Sequence, residues 1–210
     1  MIKAITAGFL LITLSELGDK TFFIAVILAM RHSRRLVFAG VLAALAAMTV
    51  LSVVVGQAFS LLPQIYIDWG EVALFFTFGL KLLYDASQMP DLTCNTAEVQ
   101  EATAAVEEAE KELPKKPTNL AICLEAFVLT FLAEWGDRTQ IATIALAASN
   151  NPVGVTIGGI LGHGLCTAIA VLGGRAIAGR ISERMITAIG GSLFLLFGAI
   201  ALWEIQSTAR

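Results

Sequence analysis

The sequence predicts an all-α integral membrane protein with six transmembrane helices arranged as two inverted three-helix repeats. Three observations carry that expectation. Hydrophobic residues make up 57% of the 210-residue chain and charged residues only 15%, against roughly 45–50% and about 25% in soluble domains. The apolar residues gather into long runs. The second half of the chain repeats the first.

The runs lie at about 4–30, 36–60, 69–87, 119–148, 153–174 and 184–204. Each has close to the roughly 20 residues that a helix needs to cross a bilayer. The first run, after Lys3, has the outline of a signal peptide but continues into Glu16 with no small-residue cleavage site, so it is kept as a span. The links are short except for residues 88–117. That stretch is rich in Ala and Glu, with Glu98, Glu101, Glu107, Glu108, Glu110 and Glu112. It is expected to be an acidic, solvated linker with a short helix inside, cation sensing being an alternative role. The chain thus divides into residues 1–87, 88–117 and 118–210.

Basic residues give the orientation. The links after spans one, three and five carry Arg31, Arg34, Arg35, Lys111, Lys115, Lys116, Arg175, Arg180 and Arg184, and the other side carries only Lys3 and Arg210. Cytoplasmic links are enriched in Lys and Arg. The long link is therefore expected in the cytoplasm, with both termini outside or in a lumen.

The repeat is legible at an offset of 118 positions: Phe9 falls on Phe127, Thr21 on Thr139, Gly40 on Gly158 and Gly56 on Gly174. One inserted residue later, "FGLKLLYD" (Phe78 to Asp85) aligns with "FGAIALWE" (Phe197 to Glu204). Three spans per copy is an odd number, so the second copy enters the membrane from the opposite side. Many secondary transporters are built this way.

Polar residues interrupt the same place in both copies. "SELGDKTFF" (Ser15 to Phe23) sits inside span one and "AEWGDRTQI" (Ala133 to Ile141) inside span four. A charge at a helix centre costs roughly 2.5–3.5 kcal/mol on insertion scales. Glu16, Asp19, Lys20, Glu134, Asp137 and Arg138 therefore point to a function, with internal salt bridges as the bland alternative. Glu16 and Asp19 are i, i+3 and share one helix face, as do Glu134 and Asp137. Gly18 and Gly136 let the helix loosen between them, and Thr21 and Thr139 add hydroxyls. Four carboxylates around one cavity form a hard oxygen set suited to Ca²⁺, Mn²⁺ or Mg²⁺. Four acids and two bases leave −2, which one divalent cation neutralises. Without the cation, crowded carboxylates take up protons.

Other positions have blander expectations. His163 is either a packing residue or a proton relay. Asp85 and Glu204 form a symmetric pair that lines an access path or sits at the interface, and Glu125 is expected to be interfacial. Gly154, Gly158 and Gly162 make a small-residue face for close helix packing. Cys94, Cys123 and Cys166 are scattered and expected to be unpaired thiols. No basic stripe with interleaved aromatics points to nucleic acid.

"ELGDKT" and "EWGDRT" match the doubled E-x-G-D-[KR]-[ST] signature of a family of small six-span membrane proteins, uncharacterised protein family sixteen, which includes the Golgi manganese and calcium transporters. The resemblance covers nearly the whole chain. It implies a transporter of Mn²⁺ or Ca²⁺ in exchange for protons, with no prosthetic group. It also implies that Glu16, Asp19, Glu134 and Asp137 bind the cation, supported by Lys20, Thr21, Arg138 and Thr139. The short chain resembles the bacterial or plastid branch, which implies Mn²⁺ export across a bacterial cell membrane or a thylakoid-type membrane. Two other classes are weighed: an intramembrane Mg²⁺-dependent enzyme, for which no further motif appears, and a membrane scaffold in which the acid–base pairs are structural.

Overall fold

The computed structural model describes residues 1–89, 97–112, 117–177 and 183–208, and every regular element among them is an α-helix. Cys94, Lys115, Lys116, Arg180 and Arg210, and the side chains of Glu98, Glu112 and Arg175, lie outside the described residues. In chain order the helices are α1 (Ile2–Glu16), α2 (Lys20–Arg31), α3 (Arg34–Phe59), α4 (Gln64–Gln88), α5 (Ala97–Glu112), α6 (Asn119–Ala133), α7 (Arg138–Ser149), α8 (Pro152–Ile177) and α9 (Glu183–Thr208). The lengths repeat: 15, 12, 26 and 25 residues for α1 to α4, then 15, 12, 26 and 26 for α6 to α9. Among the described helices, α5 is the one without a counterpart.

Local chemistry sets several of these boundaries. Pro63 precedes α4 and Pro152 opens α8, where a missing N–H costs nothing. Asn151 accepts the Gly154 N–H at 2.9 Å and Thr118 accepts the Ala121 N–H at 3.2 Å, the usual role of short polar side chains at a helix start. A 26-residue helix is about 39 Å long, enough to cross a bilayer. Among the described residues, α3, Pro152–Gly173 of α8 and Thr187–Ser207 of α9 are long and apolar enough to do so, and α6 with α7 makes a fourth if that bent pair is one span. The first expected span is divided between α1 and α2, and α4 carries Asp68, Glu71, Lys81 and Asp85.

Packing interleaves the two halves. A Cβ on Gly158 would collide with the carbonyl oxygen of Ile5, which lays α1 along α8. A Cβ on Gly40 would collide with the carbonyl oxygen of Cys123, which lays α6 along α3. Ile5 and Cys123 are themselves 118 positions apart, so one contact is made twice. α3 meets α8 where Gly159 faces Thr49. α4 runs antiparallel to α9, with Gly79 against Gly191 and Phe75 edge-on to Phe194 at 5.8 Å between ring centroids.

The second broken helix breaks the symmetry of these neighbours. α7 packs on α4, whereas its counterpart α2 has α3, α5, α6 and α8 as its main neighbours. The helix expected in the 88–117 stretch is thus not merely solvated. Ala102 and Val106 of α5 are fully buried in a cluster with Phe22, Val26, Ile122 and Ala126. The reason is amphipathicity: alanine and valine line one face of α5, and its glutamates occupy the rest.

Gly158→Val and Gly40→Val should each lower stability by about 1–3 kcal/mol, the range for forced overpacking, read as thermal unfolding of the detergent-solubilised protein. Gly70→Ala, where an added methyl meets nothing within 4 Å, should be neutral or slightly stabilising. Equal sensitivity at all three positions would refute the close-approach account.

Candidate cation site at the paired helix breaks

Both motifs are helix breaks of one design. α1 stops at Glu16 and α2 starts at Lys20; α6 stops at Ala133 and α7 starts at Arg138. Gly18 and Gly136 take φ of 82° and 83°, the positive values among the described residues. That left-handed geometry disfavours residues with a Cβ and is open to glycine. The amide of Asp19 then donates to the Glu16 carbonyl at 3.3 Å, and that of Asp137 to the Glu134 carbonyl at 3.2 Å. Each Asp becomes the residue before the next helix, in extended conformation. Asp137 uses its carboxylate as a cap, accepting from the Arg138 and Thr139 N–H groups.

The breaks meet in the interior. One carboxylate oxygen from each of Glu16, Glu134 and Asp137 lies within 4.8 Å of the others. Glu16 is 2% exposed and Glu134 3% exposed. Thr21 donates its hydroxyl to Glu16 Oε2 at 3.2 Å. Its counterpart Thr139 lies 3.5 Å from Glu134 Oε2 and 2.9 Å from Asp137 Oδ2, and its single proton favours the nearer oxygen. Glu16 Oε1 and Glu134 Oε1 are buried with no hydrogen-bond partner. A spacing up to 4.8 Å matches oxygens facing each other across a coordination sphere of about 2.3–2.6 Å radius.

The two Asp residues differ. Asp19 stands outside the three-carboxylate cluster, with its Oδ1 3.8 Å from Arg138 Nη2, while Arg138 Nε lies 3.9 Å from Asp137 Oδ1. A cleft of about 50 Å³ reaches the cluster from one side. Gly18, Asp19, Asp137 and Arg138 line it together with Leu82 of α4 and Gly190 and Phe194 of α9. It lies where α4 ends and α9 begins, the same end as the C-terminus of α2. Glu16 and Glu134 sit behind Asp19 and Asp137, off the cleft wall.

Lys20 does not share the role of Arg138. Its ammonium is 3.1 Å from Glu101 of α5, a partner the repeat alignment gives no hint of. His163 is buried with Nδ1 unpartnered. Glu204 is exposed and pairs with Lys3 at 3.3 Å, and Asp85 is half-buried at the opposite end of the α4–α9 pair. Glu125, near the start of α6, is buried: His32 Nε2 is 3.8 Å from its carboxylate, and neither of its oxygens has a hydrogen bond. Glu71, buried in α4 near Ser149, has no place in the sequence expectation, although an acid inside an apolar run was signal enough. Cys123 and Cys166 are free thiols.

The family model described as "Divalent cation/proton antiporter GDT1" matches residues 4–90 and 122–209. The chain is 59% identical over 203 residues to GDT1-like protein sll0615 of Synechocystis, covering 97% of this chain and 98% of that protein. It is 42% identical over 220 residues to GDT1-like protein 5 of Arabidopsis thaliana, covering 96% of each. The chloroplastic PAM71-homolog of the same plant is 42% identical over 212 residues, 95% of this chain and 59% of that longer protein. No solved structure matches the chain.

Gly136→Ala should cost about 1–2 kcal/mol through backbone conformation alone, because a Cβ there meets nothing within 4 Å. Gly136→Asn, which tolerates the left-handed region better, should recover most of the loss. Thermal melts of the two variants decide the point, and equal melts would refute the backbone account.

Proposed function

The chain belongs to the GDT1 family of divalent cation/proton antiporters, and from that premise we propose that it exports Mn²⁺, with Ca²⁺ as a second substrate, in exchange for protons. Membership in a transporter family sets aside the enzyme alternative. The observation that carries the reading is the carboxylate cluster: Glu16 from one break and Glu134 and Asp137 from the other, with a buried, unpartnered oxygen on each glutamate.

In this reading each half contributes part of one site. Residues 1–87 and 118–210 are the inverted halves, each crossing three times, and residues 88–117 form the acidic link between them. The cation enters past Asp19 and is held by Asp137 together with Glu16 and Glu134 behind it. When it leaves, buried like charges in a low dielectric are relieved by protons. Metal and protons therefore alternate at the same oxygens, and coupling needs no separate proton channel. Thr21 and Thr139 orient the acids by donating to Glu16 Oε2 and Asp137 Oδ2.

The links rich in Lys and Arg assign the C-terminal ends of α2 and α4 and the start of α9 to the cytoplasm, and the cleft is lined by Leu82 of α4 and by Thr187 and Gly190 of α9 toward that side. On that orientation the conformation is inward-facing. The opposite side is closed by α7 packed on α4. Alternating access then exchanges the two arrangements: α4 releases α7, and α9 closes toward α2. The homologues of cyanobacterial and chloroplast origin support a bacterial or plastid-type membrane.

Proteoliposomes loaded with a Mn²⁺-sensitive dye should report Mn²⁺ entry driven by a pH gradient, with collapse of the gradient abolishing it. Glu16→Gln and Glu134→Gln should each reduce the rate at least a hundred-fold, and unchanged uptake in either would remove that residue from the site. In detergent, Mn²⁺ at a hundred-fold excess over its Kd should stabilise the protein by about 2.7 kcal/mol. A scaffold whose acid–base pairs are structural would show no such gain.

A further inference from the structure

We infer that Glu101 of α5 is a positioning residue for the transport site: by holding the Lys20 ammonium on α5, it keeps one positive charge off the carboxylate cluster and so sets cation affinity. The inference rests on the antiporter reading and adds to it a residue outside the signature.

Lys20 directly follows Asp19 and opens α2, so its flexible side chain can turn toward the acids or away from them. It turns away, with Nζ 3.1 Å from Glu101. This placement does not depend on that pair alone. α5 is seated by Ala102 and Val106, both fully buried. Farther along the same two helices, Arg31 pairs with Glu107 at 3.7 Å and with Glu110, and His32 Nε2 lies 3.4 Å from Glu110. With α5 held at its middle and far end, Glu101 stands opposite Lys20.

The second motif is the internal control. Arg138 corresponds to Lys20 in the repeat, but its guanidinium lies within 4 Å of both Asp19 and Asp137. Among the described residues no helix stands to Arg138 as α5 stands to Lys20, and Arg138 stays beside the two Asp residues. Four motif acids with Arg138 alone come to −3; with Lys20 added they come to −2. The divalent cation therefore meets a site one unit more negative than the motif predicts. The Lys20–Glu101 pair is partly solvated, at 35% and 63% exposure, and such pairs hold weakly. Movement of α5 is thus able to return Lys20 to the site and weaken cation binding.

The test uses the full chain, with Mn²⁺ transport measured in proteoliposomes and Mn²⁺ binding by thermal shift in detergent. Glu101→Gln should raise KM and Kd on the order of ten-fold, the scale of moving a unit charge several ångströms at an effective dielectric of roughly 20, with the maximal rate within two-fold. Glu101→Asp should retain wild-type affinity. Adding Lys20→Gln to Glu101→Gln should bring affinity back to that of Lys20→Gln alone, because the displaced ammonium is gone. Glu108→Gln removes an acid of the same helix that pairs with Lys111, and should leave KM within two-fold. An affinity unmoved by Glu101→Gln, a loss that persists without Lys20, or an equal loss in Glu108→Gln would each overturn the assignment. If the unaltered protein binds neither Mn²⁺ nor Ca²⁺, the antiporter reading fails and this inference falls with it.

Discussion

An enclosed carboxylate in an apolar interior is costly, and this chain brings two of them, Glu16 and Glu134, together beside the half-buried Asp137. Glu16 and Glu134 are almost fully enclosed, and each retains an oxygen that no hydrogen bond satisfies. Burial makes such groups expensive when charged; their proximity makes them more so. A cation or protons must relieve the strain. In the proposed antiport cycle, the cost that would count against the fold of an ordinary protein is the driving force for exchange. It also accounts for the broken helices, because an unbroken α1–α2 or α6–α7 would not turn at Gly18 or Gly136 to bring the acids together.

The breaks need a rigid frame, and backbone-to-backbone contact supplies it. Where Gly158 meets Ile5 and Gly40 meets Cys123, there is no side chain between the helices to compress or rearrange. Helix association inside a bilayer gains little from the hydrophobic effect and depends on such close packing. Because each contact joins the first helix of one half to the third helix of the other, neither motif is positioned by its own half alone. The site and the frame share one symmetry.

The departures from that symmetry carry the specific chemistry. Asp137 caps its own helix and joins the cluster, while Asp19 faces the cleft beside Arg138. α7 is covered by α4, while α2 is covered by α5. The amphipathic α5 packs on α2, and its Glu101 takes up the Lys20 charge. α5 is what distinguishes the surroundings of α2 from those of α7.

Much of this was legible in the chain itself. Apolar runs of spanning length, the 118-residue offset and the doubled acidic motif point to the helices, the matched helix breaks and the acids proposed for the site, because these depend on local composition and periodicity. The glycines at both breaks were visible for the same reason, since a left-handed turn demands a particular residue at a particular place. Tertiary structure alone decided which three of the four acids converge, that Lys20 faces Glu101 rather than the cluster, and that Glu125 is buried against His32. Those outcomes depend on how separate segments seat against one another. A surface glutamate on a soluble-looking helix looks the same in sequence whether it faces water or, as Glu101 does, a lysine of another helix.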